Sequence, residues 1–145
     1  MVEKSEPKKE KSCGGVIIDD GKVLVVWQSN EENEIVCFPK GHVESGETEI
    51  DTAKREILEE TGINTELDAT KRVELFYHID DQDMDIEKTV VLFAGSPVGG
   101  IDTTPQAGEI EEAKWIEIAD VEEALVRDVW KDAWRKMREM IEEEL

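Results

Sequence analysis

Cysteine, long apolar runs and basic residues are all scarce in this chain of 145 residues. Its two cysteines, Cys13 and Cys37, form no CxxC pair, so the sequence favours neither a zinc site nor a disulfide scaffold, and a reducing compartment fits. No apolar run reaches the about 20 residues that a membrane-spanning helix needs. The amino-terminal stretch MVEKSEPKKEKS lacks the apolar core of a cleaved signal. We therefore expect a cytoplasmic protein with no membrane span.

The shortage of positive charge also narrows the class of ligand. The chain has 17 Lys and Arg against 37 Asp and Glu, which gives a formal net charge of -20. Proteins that coat DNA or RNA hold phosphates with many cations, so extended nucleic-acid binding is not expected. A small anionic ligand stays open, provided that lysines, arginines or bound cations offset the field of the chain locally.

Hydrophobic patterning and turn residues predict one folded domain over residues 12–145. Residues 1–11 are rich in Lys and Glu and show no periodicity, so we expect a flexible tail. The first two strands are joined by DDGK, a hairpin signal, and the almost wholly apolar run at 88–95 is expected at the centre of the sheet. In full, β-rich runs predict strands over 13–18, 22–28, 34–38, 72–79, 88–95 and 113–118.

Two further segments show helical spacing. Residues 48–61 carry an aliphatic stripe, and Gly62 follows as the expected C-terminal cap. A second helix is predicted from Asp120 as N-cap, with Glu123 as its capping-box partner, to the end of the chain. This order of elements predicts an α/β protein, with a mixed sheet covered by helices on both faces.

Three carboxylates crowd the last turns of the first predicted helix, namely Glu56, Glu59 and Glu60. Each residue advances a helix by about 100°, so the three side chains lie on one face. Their mutual repulsion and their place at the negative end of the helix dipole together cost about 2 kcal/mol. Spacing alone leaves two interpretations open, a solvated acidic face or a set of hard oxygen ligands for Mg²⁺ or Mn²⁺.

The surrounding stretch GHVESGETEIDTAKREILEETGI, which begins at Gly41, resembles the Nudix box of the Nudix hydrolase superfamily at every fixed position. The resemblance implies an α/β/α sandwich, in which the box helix and a C-terminal helix cover a mixed sheet. It also implies a bound Mg²⁺, with Mn²⁺ as a substitute. The matching metal ligands are the carbonyl of Gly41 and the side chains of Glu56, Glu59 and Glu60.

The same resemblance supplies candidate catalytic residues. Glu59 is the box carboxylate in that set, and Arg55 with Glu47 is expected to form an ion pair that orients the loop against the helix. Near the end of the chain, GEIEEAKWIEI resembles a late Nudix segment in which a glutamate before a Trp binds metal or positions water. Glu109, six positions before Trp115, is the matching residue.

The late segment leaves some choices open and contains one departure. Glu111 and Glu112 are alternatives to Glu109 that the sequence does not exclude. In the animal-type members of the subfamily named next, an aromatic residue that stacks on adenine stands where this chain has Ala113. Either another aromatic such as Tyr77 replaces it, or recognition of the base is loose.

The residues beside the box narrow the substrate. FPKGHVESGE is similar to the equivalent segment of asymmetrical diadenosine tetraphosphate hydrolases, which suggests that Lys40 and His42 contact the polyphosphate. The strands RVELFYHI and KTVVLFA resemble later segments of that subfamily and add Tyr77 and Lys88. Each residue also has a plain structural alternative: a loop histidine bound to backbone, a packed strand tyrosine and a lysine that covers a strand end.

The function expected from this resemblance is Mg²⁺-dependent hydrolysis of a nucleoside diphosphate linked to another group, most specifically of diadenosine tetraphosphate to ATP and AMP. One alternative is a pyrophosphohydrolase acting on nucleoside triphosphates or RNA 5′ ends, since the same box serves these substrates. Another is a Nudix-fold module that binds nucleotides without turnover. The sequence does not predict an oligomeric state.

Overall fold

The computed structural model describes residues 8–29, 34–81, 84–105 and 110–142. Within these ranges, no helix is long and apolar enough to cross a membrane. The elements are β1 (Lys8–Asp19), β2 (Lys22–Ser29), β3 (Glu34–Cys37), β4 (Lys40–His42), α1 (Glu49–Thr61), β5 (Thr65–Asp81), β6 (Met84–Pro97), β7 (Glu112–Glu117), a 3₁₀ turn (Ile118–Asp120), α2 (Val121–Ala124) and α3 (Asp128–Ile141).

One mixed sheet holds all of these strands, in the order β3-β2-β1-β6-β5, with β4 paired to β1 and β7 paired to β2. Strand β6 lies between β1, which it pairs in parallel, and β5, which it pairs antiparallel. The prediction that the apolar run at 88–95 is central is therefore confirmed. The run is apolar because this strand is covered on both faces and shares both edges.

The first hairpin forms where DDGK predicts it. Ile18 pairs with Val23 across the turn, and both turn residues have positive φ, 48° at Asp20 and 75° at Gly21. Two consecutive positive φ values match the right-handed twist of the flanking strands. β2 also pairs antiparallel with β3 through residues 26–29 and with β7 through residues 22–27, so β7, from late in the chain, lies beside an early strand.

The predicted tail reaches too far into the chain. Residues 1–7 lie outside the described residues, but Lys8, Lys9, Glu10 and Lys11 belong to β1 and pair in register with residues 86–89 of β6. The segment looks irregular in sequence because its side chains are charged. Backbone hydrogen bonds to a neighbouring strand, rather than local apolar periodicity, hold it in the sheet.

Helix α1 covers one face of the sheet, and it begins and ends as predicted. Thr48 caps its first turn in a reciprocal box with Asp51, and Gly62 at φ 79° donates its N–H to the carbonyl of Leu58 at 2.8 Å. Ala53 and Ile57 are buried against the strands beneath. This packing fixes the position of the acidic last turns of the helix.

The other face is covered by α3, so the α/β/α sandwich is confirmed. Trp130 and Trp134 are buried and pack on Phe38, with ring centroids 6.3 and 6.2 Å away. Met137 and Ile141 extend this core along the same helical stripe. The aromatic stripe of the C-terminal segment therefore packs on the chain's own sheet.

The single C-terminal helix predicted from Asp120 is wrong, because the chain breaks between α2 and α3. Asp120 makes no side-chain capping bond, and so the predicted box with Glu123 is absent there. Leu125 turns into the core, while the N–H of Val126 donates to the carbonyl of Val36 at 3.2 Å. A bond to β3 thus replaces a continuing helical bond, which local spacing does not reveal.

Candidate active site

The acidic end of α1 faces strand β4, which sequence reasoning takes for loop. β4 exists because Lys40, Gly41 and His42 pair with residues 12–14 of β1. Glu60 is only 3% exposed, and it accepts the N–H of Lys40 at 2.9 Å and the side-chain amide of Gln28 at 3.4 Å. A buried carboxylate therefore joins the helix to two strands.

Arg55 of α1 binds several groups of the segment that precedes the helix. Its guanidinium bonds both carboxylate oxygens of Glu47, at 2.7 and 2.9 Å, and the carbonyl of His42 at 3.0 Å. Glu47 also accepts the hydroxyl of Thr52 at 3.0 Å and the N–H of Glu44 at 2.9 Å. The bidentate pair ties loop, strand and helix together, which is the geometry expected of an ion pair that orients the box.

The same guanidinium lies against the carboxylate cluster. One of its nitrogens is 2.7 Å from Glu56 and 3.2 Å from Glu59. Within the described ranges, no three acidic, cysteine or histidine side chains are arranged around one point as metal ligands. Glu56 and Glu59 are ion-pair partners of Arg55, whereas Glu60 accepts the N–H of Lys40.

Gly41 leaves room for the carboxylate of Glu56. A β-carbon built on Gly41 would lie 2.0 Å from the carboxylate carbon of Glu56, so only glycine permits this approach. The backbone of β4 and the acidic face of α1 are thereby brought into contact. Hard oxygen donors held this close on rigid elements are the ligand type that Mg²⁺ prefers.

Gly41→Ala is expected to lower kcat for the hydrolysis expected from the sequence by about tenfold or more, because the added methyl displaces Glu56 from its position. The matched control is Gly100→Ala, since a β-carbon at Gly100 meets nothing within 4 Å. Steady-state kinetics on both variants checks the prediction. Equal activity in the two variants would contradict the close approach.

Two carboxylates of the site have shifted pKa values. Hydrogen bonds from Arg55, followed by the N–H of Glu44, lower the pKa of Glu47 to about 2. Burial raises the pKa of Glu56, although the guanidinium of Arg55 acts in the opposite sense. Glu47 is therefore held ionised, whereas Glu56 takes up a proton more readily than an ordinary glutamate.

The pKa of Glu47 predicts an acid-sensitive contribution to stability. Its value in the folded chain is lower than the ordinary value of about 4.3, so its ionised form stabilises the fold above that pH. This contribution is lost as the pH falls from about 4.5 towards about 2. Melting temperatures of the metal-free wild type and Glu47→Gln should differ most at pH 7 and converge below pH 4.5. A difference that does not change with pH would contradict the ion pair.

Two adjoining cavities open beside the cluster. The carboxylate cavity, of about 350 Å³, is lined by Ser12, Gln28, Lys40, Gly41, His42, Glu44, Glu56 and Glu60. The basic cavity, of about 360 Å³, is lined by Gln28, Ile35, Cys37, Lys40, Tyr77, His78, Ile79, Lys88, Arg127 and Trp130. Gln28 and Lys40 line both cavities, so one extended ligand can reach from one cavity into the other.

The predicted substrate contacts are brought to these cavities. Tyr77 and Lys88 are direct cross-strand partners on β5 and β6, and they line the basic cavity together with Lys40. Tyr77 is half-buried, with its ring 6.5 Å from Trp130. His42 lines the carboxylate cavity instead, with its side chain largely exposed.

Sequence reasoning misses Glu10, which organises two of these residues. One of its carboxylate oxygens is 3.4 Å from the ammonium of Lys88 and 3.4 Å from the imidazole of His42. Burial opposes ionisation, yet Lys88 and then His42 lower the pKa of Glu10 on balance. No local signal could have found it, since it lies in a charged stretch that pairs with β6 only in the folded chain.

The late acidic segment holds three candidate glutamates, of which two are among the described residues. Glu109 lies outside the described residues. Glu112 begins β7 and pairs with Lys114 at 2.8 Å, while Glu111 is exposed just before the strand. Ala113 is buried in the core, at 4% exposure, and its register partner is Val26 of β2. A residue at this position faces the interior, so it offers no platform for a base in this chain.

Comparison with known proteins gives one consistent picture. A family model described as NUDIX domain matches residues 8–140. A Mycobacterium tuberculosis protein named "Putative mutator protein MutT4" is 31% identical over 121 residues, which cover 77% of this chain and 48% of that protein. The chain therefore spans about half of the length of that relative.

Solved structures resemble most of the chain. The binary complex of a C. elegans Ap4A hydrolase superposes with a TM-score of 0.77 at 24% identity, covering 92% of this chain and 98% of that one. A NUDIX hydrolase from Nitrosomonas europaea gives 0.69 at 24% identity, with 92% and 90% covered. At this level of identity, the likeness shows a shared fold.

Proposed function

Since the chain belongs to the NUDIX family, as its resemblance to the Nudix box predicts, we propose that it hydrolyses a phosphoanhydride bond in a nucleoside diphosphate linked to a second group. The observation that carries this proposal is the contact between the acidic end of α1, the backbone of Gly41 and two cavities lined by Lys40. The carboxylates that would bind a cation thus lie beside the basic residues that would contact phosphate, and hydrolysis of a polyphosphate requires both.

The residues at the end of α1 fit a divalent cation. The carbonyl of Gly41 and the carboxylates of Glu56, Glu59 and Glu60 would hold Mg²⁺, or Mn²⁺ in its place, and the carboxylate of Glu56 already lies against the backbone of Gly41. When bound, the cation neutralises charge on phosphate oxygens and polarises the attacking water. A bound cation would also offset the repulsion among these carboxylates.

The residues of the chain hold the substrate and the water. Lys40 and Lys88 bind phosphate oxygens, and the hydroxyl of Tyr77 donates between them across the basic cavity. Glu59 is the most exposed of the three helix carboxylates, at 45%, so we assign it to take a proton from the attacking water, with Arg55 in contact with both of its oxygens. Glu60 is buried and accepts the N–H of Lys40, and this bond holds the acidic end of α1 beside that lysine.

The proposed substrate is a dinucleoside tetraphosphate, cut by water to a nucleoside triphosphate and a nucleoside monophosphate. The PKGHVE flank and the superposition on an Ap4A hydrolase support this choice. A cavity that continues past Lys40 into a second basic space also suits a long phosphate chain. Nucleoside triphosphates and RNA 5′ ends are the alternative substrates, and a module without turnover is the alternative outside enzyme chemistry.

A substrate panel tests the proposal. The protein is incubated with Mg²⁺ and diadenosine tetraphosphate, nucleoside triphosphates, ADP-ribose or 5′-triphosphorylated RNA, in water enriched in ¹⁸O. We expect diadenosine tetraphosphate to be the best of these substrates, giving ATP and AMP, with the label on the phosphate that water attacks. If it were among the poorest substrates, the assignment of substrate would be wrong. If no member were hydrolysed, the proposed enzyme activity would be wrong.

A further inference from the structure

Arg127 has a backbone conformation that arginine rarely adopts. Its φ of 81° and ψ of 137° lie in a region that favours glycine. Among the described residues, Asp20 is the one other residue besides glycine with positive φ, and it belongs to a hairpin turn that needs this geometry. Arg127 lies instead in the short connection from α2 to α3.

The surroundings hold this conformation in place. Leu125 is buried, the N–H of Val126 donates to the carbonyl of Val36, and Trp130 is anchored in the core one turn into α3. These contacts fix the connection on both sides of Arg127. Glycine would make the same turn without strain, so the backbone itself does not require an arginine at this position.

The side chain of Arg127 does not serve the helix that it precedes. It makes no side-chain capping bond to α3, and the residue is exposed. In the ranges 8–29, 34–81, 84–105 and 110–142, none of the hydrogen bonds or ion pairs found for this residue involves its guanidinium. The guanidinium is therefore available to a ligand.

Arg127 faces the basic cavity. With Lys40 and Lys88 it gives this cavity three basic side chains, of which Lys88 also pairs with Glu10, and none of the ten lining residues is acidic. Tyr77 lines the same cavity, and while burial raises its pKa, the charges of Lys40 and then Arg127 oppose that rise. In a chain of net charge -20, such a concentration of positive charge favours an anionic ligand.

We propose that Arg127 is a substrate-binding residue, which contacts a phosphate lying in the basic cavity beyond the bond that is cut. This inference rests on the proposed function and extends it. The cut bond lies by the carboxylate cavity, so each additional phosphate reaches past Lys40 towards Arg127. The guanidinium offers paired donors to that phosphate and favours long phosphate chains over short ones.

Two variants of Arg127 and one control test the inference. Arg127→Gly removes the guanidinium and relieves the backbone, so its melting temperature should equal or exceed that of the wild type. Its KM for diadenosine tetraphosphate should rise about tenfold or more, with kcat nearly unchanged and a smaller rise for ATP. Arg127→Lys should keep part of the affinity. Arg138→Gln removes a charge from an exposed position of α3 outside the cavity and should leave KM unchanged.

A KM of Arg127→Gly within twofold of the wild type would overturn the inference and leave the proposed function intact. Calorimetric titration with inorganic tripolyphosphate separates the two ideas without turnover. If the wild type hydrolyses no substrate but binds tripolyphosphate, with about tenfold loss in Arg127→Gly, the inference stands and the proposed function fails. If the wild type does not bind tripolyphosphate, the inference is wrong.

Discussion

Glu60→Gln is expected to lower kcat by about 10³-fold while the protein stays folded. The carboxylate is 3% exposed and bonds the N–H of Lys40, and glutamine keeps an oxygen acceptor of the same shape for that bond. The substitution removes one negative charge at the proposed cation site, and it replaces the oxygen that accepts from Gln28 at 3.4 Å by an amide nitrogen. Steady-state kinetics with Mg²⁺ and circular dichroism on the same sample measure both parts of the prediction.

The control for this experiment is Glu117→Gln. Glu117 is exposed at the end of β7, so its substitution removes the same charge from a position away from the cluster. Activity of the control should stay within twofold of the wild type. If Glu60→Gln were as active as Glu117→Gln, Glu60 would have no part in holding the cation.

Arg55→Ala is expected to destabilise the fold by about 3 kcal/mol, because three carboxylates lose their shared counter-ion. Its guanidinium bonds Glu47 through two nitrogens and also contacts Glu56 and Glu59. The loop and the end of α1 would repel each other without it. Thermal unfolding should show a fall in melting temperature of roughly 10 °C, and turnover should be largely lost.

Two further variants separate the roles of Arg55. Lys54→Ala removes an exposed cation from the same helix and should change the melting temperature by only a degree or two. Arg55→Lys keeps the charge but not the bidentate geometry, so it should recover only part of the stability. A melting temperature for Arg55→Ala equal to that of Lys54→Ala would show that the contacts contribute nothing.

The parts of the fold that local chemistry determines could be predicted from the sequence. The capped helix α1, the DDGK hairpin and the central strand β6 each follow from residues close together in the chain. The box also indicates which carboxylates share a face, because their spacing is a property of one helix. In these segments the residue types alone determine the local backbone geometry, so the sequence is sufficient to predict it.

The rest depends on contacts between distant segments. β4 forms only because β1 pairs with it, and this pairing brings His42 to Glu10, while the parallel pairing of β1 with β6 brings Lys88 to Glu10. The break before α3 is set by a bond from Val126 to β3. Such pairings have no periodic signal of their own, so these features, with Gln28 and Arg127, emerge only in the folded chain.

The binding of Mg²⁺ to the end of α1 is the central claim, and thermal unfolding tests it most directly. At a concentration about 100 times its Kd, the cation should add about 2.7 kcal/mol to the free energy of unfolding of the wild type, or roughly 10 °C in melting temperature. Glu60→Gln should lose most of this increase, and KCl at equal ionic strength should not produce it. An equal rise in both proteins, or none in the wild type, would contradict the claim.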